Sequence, residues 1–464
     1  MSASQEPEPT PCPVGPRTVL DAPPGPLRIV RLANFVTPTS GGLRTALREL
    51  GAGYRAAGHE PVLVVPGERA SDELTPQGRV ITVPGHELPG TGGYRVLTDR
   101  RHLSRLLERL APDRLEVSDR TTLRWTGEWA RRARVPAVMV SHESADAVLR
   151  TWGVPPAAAR RAADRLNLRT ARAYARVVCT TEWAAREFVR LGVRNLVRAP
   201  LGVDLEKCHP AWYSAALRAR QVSGASTLLV MCSRLSPEKR PGRALDAVAE
   251  LRRRGVGTRL VVAGDGPLRA RLAERARAEG LPVTFLGHVA HRGELAAWQA
   301  SADVVLAPGP AETFGLAALE ALACGTPVVV SASSALPAIV ATAGASAADD
   351  GPAFADAVED VLARPEPARR QAARARAEEF GWPLAVAAFL AAHDAAPLNP
   401  PDGAVQPAAR AIGVGPRAAT GQGATAGQGV ATGQAVVGPL ADHAPGGPRP
   451  VATPGAPTPG GGGS

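Results

Sequence analysis

The chain has 464 residues, enough for two globular domains with length to spare, and 45% of them are hydrophobic while only 4% are aromatic, so Ala, Val and Leu must fill most of the core. Its 54 Lys and Arg against 43 Asp and Glu leave +11, a balance that favours nucleotide diphosphates, an acidic lipid surface or nucleic acid, the last without any motif or aromatic–basic interleaving to support it. Five scattered cysteines (Cys12, Cys179, Cys208, Cys232, Cys324) with no C-x-x-C pair argue against a disulfide framework or zinc site and suit a reducing cytosol.

No run approaches the roughly 18 apolar residues of a membrane span, and the N-terminus is Pro/Glu-rich rather than a basic–apolar signal. A cytoplasmic protein is expected, one able to sit peripherally on the inner membrane face. Residues 1–26 read as a disordered leader, and 397–464, rich in Gly, Ala, Pro, Thr and Gln and ending in GGGGS, as a disordered tail. Between them strands alternate with helices, which predicts parallel sheets covered on both faces. LRIVRLANFV (27–36) is the first strand. Gly41 and Gly42 turn into a helix with Leu43, Ala46, Leu47, Leu50 and Tyr54 on one stripe. Further strands are expected at Pro61–Val65, Val80–Val83, Leu115–Ser118, Ala137–Ser141, Val177–Thr180 and Leu196–Arg198.

The pattern pauses at PLGVDLEKCHP (200–210). A second series follows: TLLVMCSRL (227–235), RLVVAGDGP (259–267), VTFLG (283–287), ADVVLAP (302–308) and TPVVVS (326–331), with helices expected at Pro241–Arg254, Leu268–Glu279, Glu294–Ala300 and Gly315–Leu322. A last helix, 382–396, has no strand to follow it and is expected to pack back across the domains. The α/β architecture is therefore two Rossmann-like domains, 27–204 and 205–381, facing across a cleft, with ligands outside the strands' carboxyl ends.

GPAETFGLAALEALACGTPVVVS carries the strongest functional signal. It puts Glu312 in a Gly/Pro loop, Gly315 at a helix start and Glu320 inside that helix. Free backbone N–H groups and the positive dipole end suit a phosphate. One carboxylate on either side can accept hydroxyl hydrogen bonds, so the stretch suits a sugar joined to a ribose by a diphosphate. On spacing alone, a surface or ion-paired glutamate is the plainer reading of Glu320. Arg234 and Lys239, in SRLSPEKR, bracket a strand's carboxyl end, where solvated loop cations are common and a cleft phosphate is the alternative.

E-x7-E (Glu312, Glu320), R-x4-K (Arg234, Lys239), GDGP (264–267) and PLGVD (200–204) resemble the retaining glycosyltransferases of family 4, which have the GT-B fold. The resemblance spans about residues 27–393. ANFVTPTSGGLRTAL, GGYR, LEVSDR, VSHE and APGPAETFGLAALE resemble more narrowly the actinobacterial GDP-mannose-dependent enzymes of phosphatidylinositol mannoside synthesis. The resemblance implies Glu312 toward the donor sugar's hydroxyls, Glu320 on the ribose, and backbone N–H groups of Phe314, Gly315 and Leu316 on phosphate or sugar. It implies Arg234 and Lys239 neutralising the leaving diphosphate. Gly41 and Gly42, otherwise a plain loop with permitted positive φ, would let backbone approach donor phosphate or acceptor. His142, closing the fifth expected strand, would contact the donor sugar; a lone histidine is otherwise structural. Gly264, in the Gly264–Asp265–Gly266 turn, His288 and Val289 would face the nucleotide, and Arg44 an acceptor phosphate.

The segment GGYRVLTDRRHLSRLLERLAP (92–112) reads as a helix region with Arg95, Arg100, Arg101, Arg105 and Arg109 beside an apolar stripe of Leu103, Leu106, Leu107 and Leu110. A solvated basic face explains it, and so does docking on anionic lipid. The reading is a retaining mannosyltransferase moving mannose from GDP-mannose to a phosphatidylinositol mannoside. A same-face path is implied, with no obligatory metal or cofactor. Another sugar nucleotide with a soluble acceptor such as inositol phosphate, a nucleotide-sugar epimerase, and a non-catalytic nucleotide-sugar binder remain open. The absence of G-x-G-x-x-G after the first strand counts against a dinucleotide-dependent dehydrogenase.

Overall fold

Long Val/Ile/Leu runs bounded by turn residues set this fold. The computed structural model of the chain describes residues 25–36, 41–88, 93–142, 144–151, 153–222 and 227–398. The expected leader and tail fall almost wholly outside these residues.

The N-terminal lobe runs β1 (Arg28–Leu32), α1 (Gly42–Ala56), β2 (Glu60–Gly67), β3 (Ser71–Thr75), β4 (Gly78–Pro84), β5 (His86–Glu87), β6 (Arg95–Val96), α2 (Arg100–Leu110), β7 (Arg114–Val117), α3 (Trp125–Arg132), β8 (Ala137–Ser141), α4 (Ala145–Thr151), α5 (Pro156–Ala173), β9 (Arg176–Cys179), α6 (Glu182–Val189) and β10 (Leu196–Arg198). Eight strands form its main sheet in the order β10-β9-β8-β7-β1-β2-β4-β3. The strands β1, β7 and β8 are buried nearly throughout, as a parallel sheet covered on both faces requires. In α1 the stripe of Ala46, Leu47, Leu50 and Tyr54 is buried. Asp99 caps α2 by accepting from His102 N, and Thr181 caps α6 by accepting from Ala184 N.

The C-terminal lobe runs α7 (Ala215–Gln221), β11 (Thr227–Cys232), α8 (Gly242–Arg253), β12 (Thr258–Ala263), α9 (Arg269–Ala278), β13 (Val283–Gly287), α10 (Arg292–Ser301), β14 (Val304–Ala307), α11 (Leu316–Ala323), β15 (Val328–Ser331), α12 (Leu336–Val340), β16 (Ala345–Ala347), α13 (Gly351–Leu362), α14 (Glu366–Glu378) and α15 (Trp382–Ala392). Its sheet is parallel in the order β13-β12-β11-β14-β15-β16. Relative to their own sequence order these strands read 3-2-1-4-5-6, the dinucleotide-fold arrangement whose order reverses between β11 and β14. The N-terminal sheet reverses likewise between β1 and β7.

The chain crosses between the lobes twice, and the two crossings pack together. Val203 pairs with Gly381, and Val203 N donates to Phe380 O at 2.8 Å. One apolar cluster runs from Tyr54 and Val138 through Val203, Trp382 and Phe389 to Leu319 and Val330, joining the lobes behind the cleft. The last helix, α15, lies against α1, where Val386 sits so close to Gly53 that a Cβ there would be 2.2 Å from it.

Several expectations need correction. The first strand ends at Leu32 rather than at residue 36, and Phe35 takes φ +60°. The sheet is not wholly parallel, because β3 pairs antiparallel with β4. The 92–112 region is not one helix: Arg95 lies in β6, paired with β5, and among the described residues of the segment only Arg100–Leu110 is helical. Gly41 and Gly42 need no positive φ; Gly41 has φ −81° and caps α1, which Gly42 opens.

Candidate active site in the interlobe cleft

The loops after β11 and β14 flank the strand-order reversal, so their residues converge. Lys239 Nζ donates to Glu312 Oε1 at 2.5 Å, joining the two loops. Burial works to lower the Lys239 ammonium pKa, but the Glu312 charge and hydrogen bond outweigh it and hold it raised. The lysine is therefore a permanent cation at neutral pH. Arg234 is exposed at the same edge, and its guanidinium lies 5.9 Å from the centroid of the Tyr94 ring of the opposite lobe. Ala335 N donates to Glu312 O at 2.9 Å, fixing the loop that carries Glu312.

Gly315 caps α11 with φ +71°, and a Cβ there would stand 2.3 Å from Leu336 Cδ2. Only glycine makes that turn without moving Leu336. Phe314 is buried edge-on against Phe380, with ring centroids 6.2 Å apart, and Leu316 is buried as the first residue of the helix. Ala318 N and Leu319 N both donate to Gly315 O, at 3.0 and 3.2 Å, so the amides that open the helix without an intrahelical partner are those of Leu316 and Ala317. Glu320 stands one turn further on, its side chain 14% exposed, with Arg292 Nη1 donating to its Oε1 at 2.8 Å. Burial pushes the Glu320 carboxyl upward, and Arg292 opposes that shift.

On the N-terminal side, Asn34 Nδ2 donates to Asp119 Oδ2 at 2.8 Å, bracing the loops after β1 and β7. His142 follows β8, the eighth strand of the chain rather than the fifth because β3, β5 and β6 intervene. Its Nε2 is 3.1 Å from Ser118 Oγ. Burial brings its pKa down to about 4, with Arg31 and Arg120 adding to the effect against Glu116. The imidazole is thus neutral and able to bond a sugar hydroxyl. A Cβ on Gly41 would meet nothing within 4 Å, and one on Gly42 only Leu316 Cδ1 at 3.8 Å, so this helix start leaves space where the lobes face each other.

Gly264 has a structural reason of its own: a Cβ would stand 1.9 Å from Ser233 O. The GDGP turn therefore presses on the Arg234 loop, and Leu235 N donates to Asp265 O at 2.9 Å. His288 and Val289 follow β13 at the same sheet edge. Arg95 is held by Glu87 at 2.9 Å and Gly85 O at 3.0 Å, which takes it out of the set of free cations. Arg100, Arg101 and Arg105 lie exposed on α2, over the buried stripe of Leu103, Leu106, Leu107 and Leu110. Arg44 is exposed at the start of α1.

Thr45, Arg292, Tyr94 and Ser118 belong to this cleft and were not singled out from the sequence. Arg292 follows the same strand end as His288, so the strand-end rule reaches it. Ser118, at the carboxyl end of β7, is reached the same way, whereas Thr45 and Tyr94 reveal themselves only through contacts across the fold. Around Glu320, residues of α1, α10, α11 and the 202–208 crossing line a cavity of about 210 Å³.

Two facing dinucleotide-type lobes bring Arg234, Lys239, Glu312 and Glu320 toward the edge where the strand order reverses, a cleft suited to a nucleotide-sugar. A glycosyl transferase 4-like domain matches residues 41–202 and the glycosyl transferases group 1 model matches 216–378. The chain belongs to this glycosyltransferase family and has its two-lobed GT-B fold. A Mycobacterium tuberculosis (strain ATCC 25177 / H37Ra) protein, GDP-mannose-dependent alpha-(1-6)-phosphatidylinositol dimannoside mannosyltransferase, is 50% identical over 367 residues, 79% of this chain and 95% of that one. Among solved structures, sucrose-phosphate synthase from Thermosynechococcus elongatus superposes with a TM-score of 0.64 at 20% identity, covering 78% of this chain and 96% of its own. A glycosyltransferase from Rickettsia africae gives 0.62 at 13% identity, covering 80% and 98%.

Proposed function

We propose that the chain is a retaining mannosyltransferase that moves mannose from GDP-mannose to a hydroxyl of a phosphatidylinositol dimannoside. The observation that carries this reading is the Lys239–Glu312 pair at the strand-order reversal, in a chain half identical to an enzyme of that activity. The donor diphosphate lies along the first turn of α11, against Arg234 and Lys239, with Gly41 and Gly42 giving it room from the opposite lobe. Glu312 takes hydroxyls of the mannose, and Glu320 takes the ribose. Gly264, His288 and Val289 border the nucleotide.

As the bond from mannose C1 to the phosphate oxygen breaks, negative charge grows on the β-phosphate. Lys239, Arg234 and the α11 amides stabilise that charge as it forms. The acceptor hydroxyl attacks C1 from the departing face, and its proton passes to the leaving phosphate oxygen. Configuration is retained without a carboxylate nucleophile. Glu312 is held by Lys239, which suits a binding role rather than attack. Neutral His142 orients the mannose. The exposed arginines of α2 support access to a lipid-borne acceptor at an anionic surface.

The test is product analysis. Purified protein with GDP-mannose is offered phosphatidylinositol dimannoside, inositol phosphate or no acceptor. The reading expects a trimannoside with a new α-linkage. Transfer only to inositol phosphate, or donor conversion without acceptor, would replace it with a soluble-acceptor transferase or an epimerase.

A further inference from the structure

Arg292 opens α10 and faces two ways. Its Nη1 donates to Glu320 Oε1 at 2.8 Å, and its Nη2 donates to Thr45 Oγ1 at 3.1 Å. Glu320 belongs to the C-terminal lobe and Thr45 to α1 of the N-terminal lobe, so one guanidinium spans the cleft. All three line the same cavity, with Arg48 and Glu49 of α1 and Asp204 and Lys207 of the crossing as its other charged groups.

A carboxylate this enclosed, on a helix otherwise made of Leu and Ala, requires a counter-charge. Among the described residues Arg292 is the only ion-pair partner of Glu320. Arg292 itself is half exposed, and a long exposed arginine holds no fixed geometry without a second anchor. Thr45 is that anchor. A ribose diol offers two O–H donors, which an ionised carboxylate accepts better than a protonated acid. Whatever aims and charges Glu320 therefore governs ribose recognition.

We propose that Thr45, Arg292 and Glu320 form a relay across the cleft, in which the N-terminal lobe's hydroxyl fixes the arginine that aims the ribose-binding carboxylate. Thr45 and Arg292 are positioning residues for the donor, and ribose recognition is strongest when the lobes are close enough for Thr45 to engage. The relay rests on the assignment of Glu320 to the ribose made above. Burial raises the Glu320 carboxyl pKa, chiefly against Arg292 and then Arg48, with Asp204 adding to the rise. Loss of Arg292 therefore removes the main charge that opposes this rise.

The experiment is calorimetric binding of GDP and 2′-deoxy-GDP to the full chain and to Thr45→Val, Arg292→Lys, Arg292→Ala and Glu320→Gln, each checked for a native melting transition. The natural chain should prefer GDP by about tenfold or more, the usual scale for a hydrogen bond to a charged group. Thr45→Val, nearly the same shape, should shrink the ratio only about threefold, because it loosens the aim of the carboxylate without removing a ribose contact. Arg292→Ala should bring it near unity, and Arg292→Lys should fall between. Thr45→Val and Arg292→Ala both keeping the full ratio, while Glu320→Gln loses it, would overturn the relay and leave the donor site standing. Glu320→Gln keeping the ratio, or a natural chain with no preference, would overturn the ribose assignment and the relay with it.

Discussion

Lys239 concentrates the electrostatics of the cleft at one atom. Its ammonium is held charged by Glu312 and sits where the departing diphosphate gathers charge. Lys239→Ala should lower kcat by about 10²–10³, the scale of losing one transition-state donor, with GDP affinity changed far less. Steady-state kinetics with GDP-mannose reads this directly; an unchanged kcat would remove Lys239 from the chemistry. His142 makes a different forecast. Burial depresses its pKa to about 4, so the ring is neutral from about pH 5 upward. His142 should contribute no ionisation to the kcat profile between pH 5 and 8, so His142→Ala should lower activity without changing the profile's shape in that range.

At the scale of elements, two turns hold the chemistry in place. Gly315 lets α11 begin against Leu336, and Gly264 lets the GDGP turn press on Ser233. Gly264→Ala should cost about 1–3 kcal/mol in denaturant unfolding, the usual range for forced overpacking. It should also disturb Arg234, which follows Ser233 directly. Most of this scaffold was legible in the residues. Runs such as TLLVMC and TPVVVS, set off by Gly and Pro, mark buried parallel strands, and the α1 stripe marks a helix on the core. The strand β3 was not legible, because SDELT is polar and mostly exposed, with nothing but its partner β4 to make it a strand. Neither were the two-residue pairing of β5 with β6 or the three-residue β16, which are too short to show a period.

At the scale of the molecule, the last helix ties the lobes together through a buried polar cluster. Arg31 Nε donates to Glu116 Oε1 at 2.8 Å, Tyr54 OH donates to Glu116 Oε2 at 2.7 Å, and His393 Nε2 lies 3.1 Å from that same oxygen. Burial alone would raise the Glu116 carboxyl, but Arg31 and His393 overcome it and hold it well below the usual range. A depressed carboxylate adds stability above its unfolded pKa, which is lost as pH falls through the folded one. The cluster should therefore hold through neutral pH and fail only in strong acid. Glu116→Gln, which leaves Arg31 buried without its counter-ion, should cost about 3–5 kcal/mol and loosen α15. Denaturant unfolding checks the first effect and hydrogen exchange along α15 the second.

Strand ends and the helix start marked Glu312, Arg234 and Lys239 as candidates, and it was the resemblance of E-x7-E and R-x4-K to a known family, rather than spacing, that singled them out together with Glu320. Sequence spacing could not reach Thr45 or Tyr94, whose partners Arg292 and Arg234 lie in the other lobe and meet them only in the folded chain. The central claim is that this cleft grips a sugar nucleotide's diphosphate and releases it on transfer. The most direct measurement is nucleotide release from a panel of GDP- and UDP-linked mannose and glucose, with phosphatidylinositol dimannoside present or absent, for the natural chain and Glu312→Gln. The account predicts acceptor-dependent release of GDP from GDP-mannose, lost in the variant. Release of UDP in preference to GDP, or equal release by Glu312→Gln, would contradict it.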